Sequence, residues 1–475
     1  MIKHPHLEEL REQISQKNND IAVKRKSWIK RNPYFYRQLI KTIAFVVPEG
    51  SKVLNIRSSV GYILNALKPS KGVGVDGSAA QIAQAQESFP NLEFSVQNAE
   101  NVNVEGEFDH IVISSTEDIV DIKAMLDNLK SNCHARTRII FTYYNYGWNW
   151  LVRLAEKLRL KLPQNVHNWV SPYDIENLLS LSGYEAVYNK KFVLIPFNIP
   201  IISYFFNRFI ARLPIFRHLC MMNVTVARVL PKGDQNPSVS IVIPCRNEAG
   251  NIEAAVERIP QLTADQEIIF GDDKSTDGTP DLVLKMAEKY PEKNIRLVAS
   301  PGINKAQNVW TCFDAASKDV LMILDADLTV IPEELPYFYE AISKGYGEFI
   351  NGSRLLYPMH DEAMRFFNVL GNKFFSLFFS YILDTKIKDT LCGTKVLYRS
   401  DFNKVKALRG SWGVDDRWGD YELIFGAAKT NLKLIDLPVH YMERTYGETK
   451  MTGRIKNGLV MLKMSFAALL KIKFY

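Results

Sequence analysis

Twice along this chain, short apolar runs alternate with stretches of helical periodicity, and that double alternation limits the fold more than any one motif. In the first block KVLNI (52–56) reads as a buried strand, and a helix follows from about Gly61. GVGVD (72–76), a helix from Ser78, LEFSV (92–96), HIVIS (110–114), a helix near 118–130 and RIIFTYY (138–144) come next. The second block opens at SVSIVIP (238–244) and runs through a helix from Glu248, EIIFGDD (267–273), a helix after Thr279, IRLVAS (295–300) and VLMILDAD (320–327). Strands that alternate with helices argue for a parallel sheet covered on both faces. Between the blocks, LPKGDQNPS (230–238) gathers the Pro, Gly, Asp and Asn of a linker. The expected class is α/β with two doubly wound domains: a helical extension over 1–44, a first domain over 45–229, a linker over 230–237 and a second domain over 238–475.

At 475 residues and 47% hydrophobic content, the chain can bury two sizeable cores. Its net charge of +7 is spread thinly, with no basic block interleaved with aromatics, which excludes nucleic acid and fits an anionic membrane surface or phosphate-bearing substrates. The five cysteines (Cys133, Cys220, Cys245, Cys312, Cys392) form no CxxC pair, and an odd, scattered count suits a reducing cytoplasm. The eight histidines show no ligand spacing with them, so no structural zinc is expected. The polar N-terminus lacks the apolar core of a signal peptide, and no run reaches the roughly 18–20 apolar residues of a membrane span. A cytoplasmic protein lying on the inner face of the cell membrane is the expectation.

The chemistry concentrates in the second block, where three motifs follow one another at strand ends. They are Pro244-Cys245-Arg246-Asn247-Glu248, then Asp272-Asp273-Lys274-Ser275-Thr276-Asp277-Gly278-Thr279, then Asp325-Ala326-Asp327. Singly, each has an ordinary reading, the DAD as a solvated turn and the second motif as turn and N-cap chemistry. Together they converge, because ligands of open α/β sheets lie at the carboxyl ends of the strands. Two aspartates one residue apart can hold a divalent cation against a diphosphate, offsetting the charge of a departing nucleoside diphosphate. Carboxylates at the first two strand ends can accept hydrogen bonds from a base and a ribose.

This block resembles glycosyltransferase family 2, the inverting type with a GT-A fold, over nearly all of 238–475. DDKSTDGT is similar to that family's DDGSTDGT, with Lys274 in place of a small residue. Gly352-Ser353-Arg354, DTLCGTK (389–395) and Arg444-Thr445-Tyr446-Gly447-Glu448-Thr449-Lys450 resemble its dolichyl- and polyprenyl-phosphate hexose synthase branch. The resemblance implies that Pro244, Arg246, Glu248, Asp272, Asp273, Lys305 and Asp325 hold a UDP- or GDP-hexose. It implies that Asp325 and Asp327 bind Mg²⁺ or Mn²⁺ and act in catalysis. It sends Arg354, Lys395, Arg444 and Lys450 to the phosphate of a polyprenyl acceptor, where cations are needed against donor repulsion. A lipid phosphate attacks without losing a proton, whereas a glycan or glycolipid hydroxyl needs a general base. Asp420 and Glu422 in WGDYEL are the candidates for that base or, equally, structural partners of the arginines.

Two segments read as amphipathic interfacial helices: EAMRFFNVLGNKFFSLFFSYIL (362–383) and RIKNGLVMLKMSFAALLKIKFY (454–475). In the first, Phe366/Phe367, Phe374/Phe375 and Phe378/Phe379 recur at eight and four residues, which predicts one helical face. Bordering lysines favour lying in the membrane plane. PFNIPIISYFFNRFIARLPIF (196–216) is a third candidate contact.

In the first block, VLNIRSSVGYIL (53–64), Val73-Gly74-Val75-Asp76, Asn98-Ala99-Glu100 and FDHIVISS (108–115) resemble class I S-adenosylmethionine-dependent methyltransferases, a Rossmann-like fold. That implies cofactor contacts from Asn55, Arg57, Gly61, Asp76, Asn98 and Ala99. Arg57 and Ser59 stand where the family has glycine, and Asn55 where it has an acid. Arg57 either pairs with the cofactor's carboxylate or reaches Asp76 and plugs the site, leaving a docking module. The whole arrangement is similar to bacterial fusions of the two families.

Overall fold

The computed structural model describes residues 5–158, 160–162, 168–231, 236–356, 366–444, 446 and 454–475. They belong to two compact units, Met1–Pro231 and Lys232–Tyr475. Each unit holds a seven-stranded sheet.

In the first unit β1 (Lys52–Ile56), β2 (Lys71–Asp76), β3 (Glu93–Val96), β4 (Phe108–Ile113), β5 (Cys133–Tyr144), β6 (Tyr184–Phe192) and β7 (Met222–Val229) stand in the order β3-β2-β1-β4-β5-β7-β6. Val53, Leu54 and Ile56 are fully buried, so β1 is covered on both faces and its sequence shows a continuous apolar run. Helices Pro5–Arg31 and Pro33–Ala44 precede the sheet. They break at Asn32 because a residue before proline is pushed out of the helical region.

In the second unit the strands are β8 (Val239–Cys245), β9 (Gln266–Asp272), β10 (Ile295–Ala299), β11 (Val320–Ile323), β12 (Phe349–Ser353), β13 (Lys395–Tyr398) and β14 (Leu434–Pro438), in the order β10-β9-β8-β11-β13-β12-β14. Both sheets are doubly wound, and in each the order reverses beside the first strand, between β1 and β4 and between β8 and β11. That reversal opens a crevice at the carboxyl ends.

Two expectations need correction. The sheets are mixed, because β7 runs antiparallel to β5 and β6, and β13 antiparallel to β11 and β12. The paired phenylalanines do not share one face either. In the helix Phe366–Leu383, Phe379 is buried against Tyr421 and Phe425 at ring distances of 4.7 and 4.6 Å, while Phe374 is 55% exposed. Neighbouring helical residues point about 100° apart, so the pairs Phe374/Phe375 and Phe378/Phe379 each have one ring more exposed than the other. The side chains of Phe366 and Phe367 lie outside the described residues. Among the described residues, no helix is long and apolar enough to cross a membrane.

Candidate functional site

The first two motifs of the second unit are stitched together where β8 and β9 end. Asn247 takes a left-handed turn (φ 54°), its backbone N–H donates to Ser275 Oγ at 2.9 Å, and its Oδ1 accepts from Thr276 N–H at 2.8 Å. Asp272 accepts from Ser275 N–H, which shapes the same turn. Pro244 closes β8. Glu248 is buried, and its Oε2 accepts from Asn251 Nδ2 at 2.9 Å. Asp273 is also buried: one oxygen lies 3.7 Å from the Arg246 guanidinium, and Oδ1 has no hydrogen-bond partner. An orphaned buried acceptor costs about 1–3 kcal/mol, so it marks a place where a donor from a ligand would be welcome. The Tyr446 ring folds onto Gly250, whose added Cβ would sit 2.5 Å from it, so Tyr446 comes back to this strand end.

Beyond β11 each carboxylate of the DAD carries a cation. Lys305, at the start of the helix Lys305–Ala315, bonds Asp325 Oδ1, and Arg444 bonds Asp327 Oδ2. Asp327 Oδ1 accepts from the Thr329 hydroxyl at 2.8 Å and from its N–H. Burial pulls the Lys305 ammonium down, but Asp325 and Asp420 outweigh it and leave it above the ordinary lysine value. Burial pushes Asp325 up, but Lys305, Lys395 and Arg354 hold it below the usual carboxylate range. A divalent ion that takes its other ligands from a substrate diphosphate and water needs only one or two protein carboxylates. Asp325 and Asp327 fit such an ion, although the described residues contain no cluster of three His, Cys, Asp or Glu.

Two of the cations expected at an acceptor phosphate are internal counter-ions here. Lys395 is wholly buried, bonded to Asp420 Oδ1 at 2.8 Å and to the Cys392 carbonyl. Arg354 clamps Asp389 with two bonds of 2.7 and 2.9 Å. Burial pushes Asp389 up, yet Arg354 holds it at about 2. Both cations still act at a distance, since their charge reaches Asp325. Lys450 lies outside the described residues. Burial raises Asp420 above the ordinary value against Lys395 and Lys305, and Lys305 feels its charge together with that of Asp325. Glu422 instead turns to the Gly410 N–H at 2.9 Å, with Arg409 3.9 Å away, and the structure brings it to none of the DAD groups.

Gly393, within DTLCGTK, sits directly on the DAD, which its residue type alone does not signal. A Cβ there would stand 2.2 Å from Asp325 Oδ2, so a side chain displaces the carboxylate. Gly393→Ala is expected to cost at least tenfold in turnover with folding retained. Steady-state rates beside a melting curve check this, and an unchanged rate would mean that Asp325 moves freely.

In the first unit the glycine-loop path survives with only Gly61 of its glycines. Arg57, Ser59 and Gly61 all take positive φ (59°, 51° and 75°). Arg57 reaches inward to Asp76 at 3.1 Å and Asp118 at 2.8 Å. Asp76 is fully committed, accepting from Arg57, Ser59 N–H and Ser78 N–H. Asn55 spends its amide on the Val112 carbonyl and Ser114 Oγ inside the sheet. Helix Pro5–Arg31 lies across the strand ends: Ser15 Oγ donates to the Gly77 carbonyl, and Asn19 Oδ1 accepts from Ser78 Oγ. Beside Asn98 and Ala99 the space left by Arg11, Ile14 and Ser15 is about 20 Å³. One water needs about 10–15 Å³, so no purine enters there. The adenine end of the site is therefore closed, while a space of about 110 Å³ lined by Arg57, Ser59, Asp76, Glu117 and Tyr144 remains beside the loop; of the two readings of Arg57, the structure shows it on Asp76.

Residues 240–405 match the family model of glycosyl transferase family 2. The second unit carries a family 2 glycosyl transferase domain. Residues 37–193 match the model described as methionine biosynthesis protein MetW, so the first unit is MetW-like. The dolichol-phosphate mannosyltransferase of Pyrococcus furiosus is 36% identical over 137 residues, 28% of this chain and 38% of its own length. The undecaprenyl-phosphate 4-deoxy-4-formamido-L-arabinose transferase of Aeromonas hydrophila is 33% identical over 112 residues, 23% of this chain and 34% of its own. This chain thus spans little more than a third of the length of these curated relatives. The solved mannosyltransferase PcManGT of Pyrobaculum calidifontis, in complex with GDP-Man and Mn²⁺, is 18% identical at a TM-score of 0.36, covering 49% of this chain and 65% of that one.

Proposed function

We propose that the chain is an inverting glycosyltransferase that moves a hexose from a UDP- or GDP-sugar to polyprenyl phosphate at the inner membrane surface. Residues 238–475 form the transferase, and residues 45–229 a MetW-like scaffold that takes no S-adenosylmethionine. The observation that carries this reading is the pairing of Lys305 and Arg444 with the two DAD carboxylates. Both are cations that can pass from carboxylate to phosphate as a donor arrives. Asp273 and Arg246 receive the nucleoside, with the orphaned Asp273 oxygen accepting a base N–H. Mg²⁺ or Mn²⁺ bound at Asp325 and Asp327 would neutralise the leaving diphosphate. Arg444 then orients the acceptor phosphate for attack on the face opposite the leaving group.

Asp420 separates the two acceptor chemistries. It is bonded to buried Lys395, and replacing a buried pair by apolar residues is often neutral for stability. The double change Asp420→Leu/Lys395→Met is therefore expected to keep the fold and to lose less than tenfold in transfer to polyprenyl phosphate. Label from a nucleotide sugar partitioning into organic solvent measures it. A loss of about 10²–10⁴, the share of a general base, would favour a hydroxyl acceptor instead.

A further inference from the structure

The connection between β6 and β7 is built inside out. Its polar residues Ser203 and Asn207 are buried and serve the local backbone: Ser203 Oγ donates to the Phe197 carbonyl, and Asn207 Oδ1 accepts from the N–H groups of Leu194 and Ile195. Its apolar residues face out, with Ile201 85% and Ile215 79% exposed, alongside Phe197, Tyr204, Phe205 and Leu219. The short helix Asn149–Lys157 shows the same inversion. Trp150, Leu154 and Leu158, four residues apart, form an exposed apolar stripe bordered by exposed Arg153 and Lys157. The two pieces are tied together, because Trp148 Nε1 donates to the Leu219 carbonyl at 2.8 Å and Asn145 Nδ2 to the carbonyls of His218 and Cys220.

The charge of this surface is mostly of one sign, its acid Glu156 being paired with Lys161. From Ala186 to Gly233 the sequence has no acidic residue. Lys41 is held below the ordinary lysine value by burial, then by Arg208 and Arg212, and Lys191 by burial, then by Arg217. Cations in excess of acids beside outward aromatic and branched side chains are complementary to anionic headgroups over an acyl boundary. A second copy of the chain would bring the same positive charge to the contact.

We propose that residues 194–219 and the helix Asn149–Lys157 form a membrane-docking surface of the first unit, lying in the plane of an anionic lipid bilayer. The inference rests on this surface alone, and its test needs neither donor nor acceptor, so it stands or falls apart from the transferase reading.

The test is flotation of the full chain with vesicles of phosphatidylcholine and phosphatidylglycerol at 7:3, against phosphatidylcholine alone. Binding is expected to the mixed vesicles and at least tenfold more weakly to the neutral ones. Ile201→Glu/Ile215→Glu, Trp150→Glu/Leu154→Glu and Arg208→Glu/Arg217→Glu are each expected to lower binding at least tenfold. The apolar positions are exposed, so circular dichroism and melting should stay unchanged for the first two. Phe374→Glu/Leu377→Glu provides the comparison in the second unit, where both side chains are also exposed. Failure of the unaltered chain to float, or flotation of all three first-unit variants within threefold of it, overturns the proposal. Loss of a dimer in sedimentation with unchanged flotation also overturns it, and makes the face a self-association surface.

Discussion

Replacing Asp325 by alanine is expected to lower sugar transfer by on the order of 10²–10³-fold while the second unit stays folded. Three observations set that size. Asp325 follows β11 at the point where the strand order reverses, it meets Lys305, and Gly393 leaves its second oxygen in van der Waals contact with bare backbone. Its removal takes away a carboxylate for the ion and the group that positions Lys305. The fold should tolerate the change, because Asp325 is partly exposed and Lys305 keeps the charge of Asp420 and Asp327 nearby. Asp325→Asn separates charge from shape: if the ion is held by charge, asparagine should do no better than alanine. Initial rates with saturating Mn²⁺, with the melting temperature as control, decide the matter. Transfer within threefold of the unaltered chain would remove Asp325 from the chemistry and leave its pairing with Lys305 as a structural contact.

The halves of the two sheets that carry the motifs were legible in the sequence, and the other halves were not. β1, β2, β4, β8 and β9 are buried on both faces, so their apolar runs stand out between turn-forming residues. β13 has four residues, and β12, FINGS, carries an Asn-Gly that reads as a turn. Their place comes from pairing with distant segments, as Val320 with Tyr398, which local pattern does not encode. The same limit governs the site. Residue type and strand-end position were enough to single out Asp273, Asp325 and Asp327 as candidates at the ends of β9 and β11. They were not enough to tell that Arg354 and Lys395 face internal carboxylates, since a cation shows its sign in sequence but not its partner. The phenylalanine pairs failed for a simpler reason, because adjacent residues of a helix cannot share a face. Arg57 left two geometries open, and the carboxylates it meets, Asp76 and Asp118, lie nineteen and sixty-one residues away, beyond the reach of local pattern.

That plug yields the second large effect. Arg57→Ala is expected to destabilise the first unit by about 3–5 kcal/mol, the usual cost of stripping one partner from a buried ion pair. Asp76 and Asp118 are almost fully buried, and Asp118 Oδ1 already lacks a hydrogen-bond partner, so both lose the guanidinium they share at once. For a unit of this size each kcal/mol moves the melting point by about 2–4 °C, so its transition should fall by roughly 10 °C in calorimetry. Arg57→Gly should recover about 1 kcal/mol of that loss, because glycine accepts the φ of 59° at which arginine is strained. Neither change is expected to create cofactor binding. The helix Pro5–Arg31 still fills the space beside Asn98 and Ala99, so titration with millimolar S-adenosylmethionine should give no heat for the unaltered chain or for Arg57→Gly. Saturable heat from the unaltered chain would show that the helix and Arg57 yield together, and the first unit would then be a methyl-donor site held shut by its own N-terminus.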